Sequence, residues 1–279
     1  MEEEKMMELP EAYNLAKQIQ QTLAGKRIAS AAANHSPHKF AWYHGDPAAY
    51  GDLLAGRRVE SAASHGGMVE VIAEGARMVL GDGAAPRFIG QGEKLPVKHQ
   101  LLVEFEGGGA LLASVQMYGG IWCFREGEFD NPYYRIACEK PSPLSEEFDE
   151  PYFAGLINDS NRGKSAKAFL ATEQCVPGLG NGVLQDILWN ARIHPRRSMS
   201  SLTDAEFSAM FHAVRSTLEQ MTEQGGRDTE KNLFGQPGGY ITRLSKNTVG
   251  QPCPECGGKI LKEAYMGGSI YYCPVCQRR

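Results

Sequence analysis

The strongest constraint on the fold is a pair of cysteine motifs near the end of the sequence. Cys253-Pro-Glu-Cys256 and Cys273-Pro-Val-Cys276 are both C-x2-C motifs, and 16 residues separate them. Two such motifs bring four thiolates together as a tetrahedral set, which is the arrangement that zinc prefers. Residues 259–272 predict a β-hairpin that turns at Met266-Gly267-Gly268. We therefore predict one structural Zn²⁺ ion, either in a finger that only closes the chain or in one that serves a larger site; its ligands would be Cys253, Cys256, Cys273 and Cys276.

Composition predicts a soluble globular protein, and a length of 279 residues predicts two domains, each large enough to bury a core. No apolar run approaches the roughly 18 residues of a transmembrane helix. The opening Met1–Lys5 is acidic and lacks the hydrophobic region of a secretory signal. Cys123, Cys138 and Cys175 follow no disulfide pattern, which favours a reducing compartment. We expect a monomer without membrane association, located in the cytoplasm and associated with the nucleoid.

Charge is unevenly divided along the chain, although the net charge is only −4. Residues 151–279 contain 15 Lys and Arg against 11 Asp and Glu, whereas residues 1–150 contain 14 against 22. The cysteine motifs therefore lie in the basic half. Because phosphate binding needs a local basic surface rather than a basic total, a nucleic-acid partner remains compatible with the composition.

Hydrophobic periodicity predicts an α+β protein of several domains. Residues 9–25 predict a leading helix with Pro10 in its first turn. Short apolar runs between Ile28 and Phe124 then predict a β-sandwich. The predicted strands are Met68–Ala73, Ala76–Leu80, Leu101–Phe105, Ala110–Gln116 and Ile121–Phe124.

The second half of the chain has helical periodicity. Residues 126–150 are acidic and rich in proline, which is typical of a linker with some packed turns. We divide the chain into a sandwich (1–125), this linker (126–150), a helical domain (151–240) and the zinc finger (241–279). The predicted helices are Tyr152–Asn158, Ala166–Ala171, Gly182–Ala191 and Thr203–Gln224.

A glycine-rich turn joins two of these helices at residues 174–182, Gln-Cys-Val-Pro-Gly-Leu-Gly-Asn-Gly. Pro177, Gly178 and Gly180 allow two sharp turns, and Asn181 is predicted to cap the helix that follows. A helix N-terminus with free N–H groups binds phosphate readily. Read alone, the turn is equally compatible with an ordinary helix–loop–helix corner.

Several motifs in order resemble the formamidopyrimidine-DNA glycosylase and endonuclease VIII family. The resemblance extends over almost the whole chain after Met7, and it includes the family's helix-two-turn-helix and its zinc finger. The motifs are Glu8-Leu-Pro-Glu11, Gln116-Met117-Tyr118-Gly119, Lys167-Ala-Phe-Leu, Pro177-Gly-Leu-Gly-Asn181, Asp186, Ile193-His-Pro195 and the four cysteines.

This resemblance implies a protein that bends duplex DNA, flips a damaged base, excises it and cuts the abasic site by β,δ-elimination. Gln116, Met117 and Tyr118 would fill the space that the flipped base leaves, although Met117 alone would also suit a strand core. Glu8 would be the general acid/base, with Glu11 beside it, unless both are only first-turn acids of their helix. The candidate DNA contacts are Lys167, Asn181, Lys246, Lys262 and Arg278.

The sequence departs from the family at three positions near the sugar and phosphates. The family's nucleophile is an N-terminal proline amine, and Met7 stands in its place with six residues before it. An amide nitrogen inside a chain is no nucleophile. Gly67 replaces a lysine and Gly268 replaces the finger's arginine, while Lys246 replaces a tyrosine before the finger. His65 is near the missing lysine but is shorter.

Three hypotheses follow from these departures. The first is a protein that binds damaged or abasic duplex DNA and has lost the glycosylase and lyase chemistry. The second is an active glycosylase/lyase whose translation starts at Met7, because a free α-amine with a pKa near 8 also forms an imine. The third is a binder of structured RNA or a ribosome-associated protein. Whether the chain is an enzyme is left open by the sequence.

Overall fold

The computed structural model describes residues 7–172 and 175–279. The acidic opening residues and Gln174, the first residue of the predicted turn, lie outside these ranges. The helices are α1 (Leu9–Leu23), α2 (Tyr50–Leu54), α3 (Pro132–Glu139), α4 (Glu150–Gly155), α5 (Ala166–Ala171), α6 (Asn181–Asn190) and α7 (Asp204–Glu223). The strands are β1 (Ile28–Ala33), β2 (Ala41–Tyr43), β3 (Val59–His65), β4 (Met68–Ala73), β5 (Ala76–Ile89), β6 (Leu101–Phe105), β7 (Ala110–Arg125), β8 (Leu261–Tyr265) and β9 (Gly268–Tyr272).

The N-terminal half is the predicted β-sandwich with a leading helix. Its strands follow the order β1-β6-β7-β5-β4-β3, and β2 pairs with β7 in parallel. Strands β5 and β7 are longer than predicted, because β5 continues past Leu80 to Ile89 and β7 joins the two strands predicted at 110–116 and 121–124. Their pairing shifts register between Asp82 and Ala84 of β5, opposite Gly119 and Val115 of β7. The apolar side of α1 packs on this sheet through Leu15, Ile19 and Leu23.

The C-terminal half contains the predicted helical domain and finger. Helix α5 has the predicted bounds, and α7 begins with the capping box of Thr203 and Glu206. Residues 126–150 are more ordered than the expected linker, since they contain α3, which Asn131 caps. The hairpin β8–β9 turns at Met266 and Gly267, both with positive φ. None of the helices in the described ranges is long and apolar enough to cross a membrane.

Segment 7–11 lies between the two halves and belongs to both cores. Met7 packs with the sandwich core, whereas Leu9 packs with the helical core. The Leu9 amide donates to the Gly178 carbonyl at 2.8 Å. Gly66 lies against Pro177. The backbone of Gly66 and Gly67 also fills the space that a Cβ at Gly178 would need. The two halves therefore meet backbone to backbone around this segment.

A buried ion pair closes the same junction. Arg227 donates from Nε and Nη2 to the two carboxylate oxygens of Glu11, at 3.0 and 2.8 Å. The Arg227 amide also donates to Glu11 at 3.1 Å. Both side chains are at most 5% exposed. A forked pair with satisfied hydrogen bonds of this kind costs much more to break than an exposed one.

We expect Glu11→Ala to lower the free energy of unfolding by about 3–5 kcal/mol, because it removes the forked partner of the buried Arg227 guanidinium and leaves it facing Glu8 at 3.5 Å. Glu11→Gln keeps the shape and one acceptor and should cost less. Urea denaturation followed by circular dichroism measures both. The matched control is Glu60→Gln on exposed β3, expected within about 0.5 kcal/mol of the parent. Equal stability of the Glu11→Ala and Glu60→Gln proteins would contradict this account.

Candidate nucleic-acid interface

A cleft of about 710 Å³ separates the sandwich from the finger and the helical domain. One wall carries Met117, the floor carries the start of α6, and the opposite wall is the β8–β9 hairpin. Of the residues predicted to contact nucleic acid or perform chemistry, five line it together: Glu8, Met117, Asn181, Lys246 and Lys262. Gly268, the position of the absent arginine, lines it as well.

The remaining predicted residues lie around this cleft. Met7, Glu11 and Gln116 line an adjoining cavity of about 270 Å³. Tyr118 follows Met117 on β7, and its ring lies 5.6 Å from that of Trp42. Gln116 and Met117 are exposed and Tyr118 is half-buried, so the alternative of a core methionine is not what the structure shows. Arg278 is exposed after the last cysteine motif.

Glu8 occupies the helix N-terminus that was predicted to be free for phosphate. Its carboxylate oxygens accept from the Gly182 and Val183 amides at 2.8 and 2.7 Å. The prediction that Asn181 caps α6 is wrong, because Gly180 is the N-cap residue and Asn181 makes no cap bond. The cap comes from Glu8 of the other domain, and a carboxylate there also complements the helix dipole.

The pKa of the Glu8 carboxyl is raised above its ordinary value, and burial is the largest cause. Burial raises the pKa of its carboxyl, while Arg227, whose Nη1 lies 3.5 Å from Oε2, lowers it. Gly182 makes this arrangement possible, because an added Cβ there would lie 1.5 Å from Arg227 Nη1. Arg227 has no motif in the sequence that marks it, and the prediction missed it.

Glu8 and Glu11 therefore do more than stabilise their own helix. Glu8 precedes α1 and makes no side-chain cap bond to it. One acid binds α6 and the other binds Arg227. The alternative interpretation of both residues as first-turn acids of a single helix is incomplete for this reason.

The position of the family's nucleophile is held by hydrogen bonding and close packing. The Met7 nitrogen donates to the Asp82 carbonyl at 3.0 Å, and Met7 is only 9% exposed. A Cβ added at Gly67 would lie 2.8 Å from the Met7 carbonyl oxygen. The absence of the lysine is thus more than a change of side chain, because the backbone of Gly67 fills the space beside Met7.

The imidazole of His65 contacts Glu70 and does not substitute for the lysine that the family has at position 67. Its Nε2 lies 3.0 Å from Glu70 Oε2, and Arg77 and Tyr134 donate to the other Glu70 oxygen at 2.8 and 2.6 Å. Hydrogen bonding to Cys138 and to Glu70 raises the pKa of His65 to about 9. The ring is therefore held by the buried Glu70 carboxylate.

Lys167 and Asn181 hold the finger against the helical domain. Lys167 is 3% exposed, and its Nζ donates to the Tyr265 carbonyl at 2.9 Å. Asn181 Nδ2 donates to the Ser269 carbonyl at 3.0 Å. A Cβ added at Gly268 would lie 3.6 Å from each of these two donor atoms. Their predicted contact with nucleic acid stays a prediction, as does that of Lys246 and Lys262, which are exposed.

The four cysteines of the finger converge as predicted. All four Sγ atoms lie within 4.8 Å of one another, with 3.9 Å between Cys253 and Cys276 and 3.4 Å between Cys256 and Cys273. Such separations fit four sulfur ligands at about 2.3 Å from one ion. Asp186 secures the finger's base by accepting from the Arg243 and Leu244 amides, both at 2.8 Å.

Comparisons with known proteins agree with this architecture. Residues 140–232 match the family model described as formamidopyrimidine-DNA glycosylase H2TH domain. The formamidopyrimidine-DNA glycosylase of Bacillus cereus is 27% identical, over 98% of this chain and 100% of its own. The crystal structure of the MutM (Fpg) protein from Thermus thermophilus superposes with a TM-score of 0.80 at 25% identity, covering 97% of this chain and 98% of that chain.

A structure of the Lactococcus lactis Fpg in complex with DNA containing an abasic site has the same fold. The TM-score is 0.83 at 22% identity, over 98% of this chain and 100% of that chain. The motif order, the convergence of the matching residues on one cleft and the full-length similarity agree with one another. Residues 140–232 form a formamidopyrimidine-DNA glycosylase H2TH domain, and the chain as a whole is similar to formamidopyrimidine-DNA glycosylases over nearly its full length.

Proposed function

We propose that the protein binds damaged or abasic duplex DNA in the central cleft and does not carry out the family's glycosylase and lyase reactions. The observation that supports this most directly is the bonding of the Met7 backbone nitrogen. Its nitrogen is a peptide amide that donates to the Asp82 carbonyl, so it has neither the basicity nor the free lone pair of a nucleophilic amine. The cleft nevertheless keeps exposed Met117, Lys246 and Lys262.

The contacts of Gly67 and Glu8 support the same proposal. Gly67 packs on the Met7 carbonyl, which leaves no room for a lysine beside the sugar. Both carboxylate oxygens of Glu8 accept from amides of α6, and Arg227 faces them, so a reacting group would have to displace these contacts to reach Glu8. Known Fpg complexes with abasic-site DNA supply the precedent for the ligand. Within a cell, such a protein would be found with the nucleoid.

The reaction is tested by borohydride trapping on duplex DNA that contains an abasic site. The 1–279 chain should form no covalent adduct, because no amine is available at Met7. A second chain that begins at Met7 separates the alternatives. An adduct from the 1–279 chain would contradict the proposal. An adduct from the shorter chain alone would favour the active lyase that uses the Met7 amine.

Binding is tested with the same abasic duplex, an intact duplex and a structured RNA. The abasic duplex should bind about tenfold or more tightly than the intact one, because an already missing base spares the cost of unpairing. Lys262→Ala should weaken binding to all duplexes and reduce the salt dependence by about one ion. The matched control is Lys17→Ala on the exposed face of α1, outside the cleft. Preference for the RNA would favour the third hypothesis instead.

We infer that the finger holds one structural Zn²⁺. Four thiolates satisfy a tetrahedral ion completely, so no open position is left for catalysis. The finger's own hydrophobic cluster is small, and the ion would supply the cross-link that this cluster lacks.

Metal analysis of purified protein should find about one zinc per chain, and Cys273→Ser should lose it. Removal of the ion by a chelator should expose the β8–β9 hairpin to proteolysis and weaken DNA binding, because that hairpin is one wall of the cleft. Cys138→Ser, an exposed cysteine outside the motifs, is the control and should retain full zinc content. Full zinc content in the Cys273→Ser protein would rule out this site.

A further inference from the structure

Two large aromatic side chains are exposed at the edge of the sandwich that adjoins the cleft. Phe40 is 47% exposed and Trp42 is 45% exposed. Phe40 lies in the turn that precedes β2, and Trp42 lies on β2, so the two side chains are two residues apart at the start of this strand. The segment is anchored, because β2 pairs with residues 119–121 of β7 and the Gly119 amide donates to the Phe40 carbonyl at 3.0 Å.

These aromatic residues continue from the predicted wedge. The Trp42 and Tyr118 rings lie 5.6 Å apart at 35°. Tyr118 directly follows Met117, which lines the cleft and is 45% exposed. We call Phe40, Trp42 and Tyr118 the aromatic strip. The strip adjoins the cleft through Tyr118, which is the chain neighbour of Met117 and contacts Trp42.

The strip has the chemistry of a stacking platform for bases. Flat aromatic faces bind any nucleobase by stacking, and a nearby cation adds attraction for the phosphate of the same nucleotide. Lys39 supplies that cation, since its Nζ lies 5.2 Å from the centroid of the Phe40 ring. A second protein would also suit an apolar patch, but continuity with the DNA cleft and this charge favour a nucleotide.

We propose that the aromatic strip stacks an unpaired base of DNA next to the site bound in the cleft. Bases inside an intact duplex already have both faces stacked, so only a base in a single-stranded gap or flank can reach Trp42 and Phe40. This inference rests on the proposed DNA-binding function and narrows its substrate class. The preferred ligand is DNA with a discontinuity and unpaired bases, rather than a damaged duplex that is paired throughout its flanks.

The test compares Trp42→Ala with the parent on two ligands, a paired abasic duplex and the same duplex with a short single-stranded gap. The parent should prefer the gapped DNA. Trp42→Ala should lose about tenfold in affinity for the gapped DNA and no more than about twofold for the paired duplex. Trp42→Phe keeps a stacking face and should retain most of the affinity. Tyr133→Ala, which removes a 56% exposed aromatic side chain from α3, is the control and should change neither affinity.

Fluorescence gives a second readout that folding defects do not imitate. Of the three tryptophans, Trp122 is 7% exposed and Trp189 is partly buried against the finger's hydrophobic cluster, so base stacking on the strip should quench emission chiefly from Trp42. Quenching by gapped DNA should disappear in Trp42→Phe while binding persists.

Equal losses of affinity for both ligands in Trp42→Ala, or no loss for either, would overturn the strip proposal. Sedimentation showing a dimer that Trp42→Ala dissociates, with DNA affinity unchanged, would also overturn it and assign the strip to contact between copies. If the parent binds neither DNA, it is the proposed function that fails.

Discussion

The structure depends on a buried cluster of charges where its two halves meet. Glu8 and Glu11 extend from the start of the N-terminal domain into the C-terminal one, and Arg227 lies against both. Two carboxylates face one guanidinium, and the amide dipoles at the start of α6 supply the remaining positive potential. Because these groups have lost their water, each must stay with its partners. The cluster therefore holds the start of α1 against the start of α6 and against Arg227.

The changes around Met7 form a consistent set rather than separate losses. An internal amide at Met7 needs an acceptor and finds the Asp82 carbonyl. The Met7 carbonyl in turn lies where a side chain at position 67 would begin, and glycine is the residue that fits. Glu8 is committed to α6. Restoring one chemical group would therefore disturb the contacts of the others, so the proposed loss of chemistry is compatible with retention of the fold.

The sequence predicts what depends on local spacing and misses what depends on distant partners. The cysteine motifs and helix α5 are local, and both were predicted correctly. The cap of α6 was assigned to Asn181 because the true cap, Glu8, lies more than 170 residues away. Arg227 was missed for the same reason. Helix α3 had a readable signal, since Asn131 and Pro132 form a good helix start, but the acidic composition around it favoured a linker.

The absence of an arginine at the tip of the finger changes how this protein would recognise DNA. Lys167 and Asn181 donate hydrogen bonds to the backbone of the finger, and Gly268 has no charged side chain beside them. Phosphate contacts must then come from exposed cations farther along the cleft, such as Lys262, which hold the backbone less specifically. A protein that has fewer phosphate contacts at the lesion gains DNA-binding affinity from a second contact surface that does not depend on charge. Aromatic surface at the cleft's edge meets that need, because stacking adds affinity and selects unpaired bases at once.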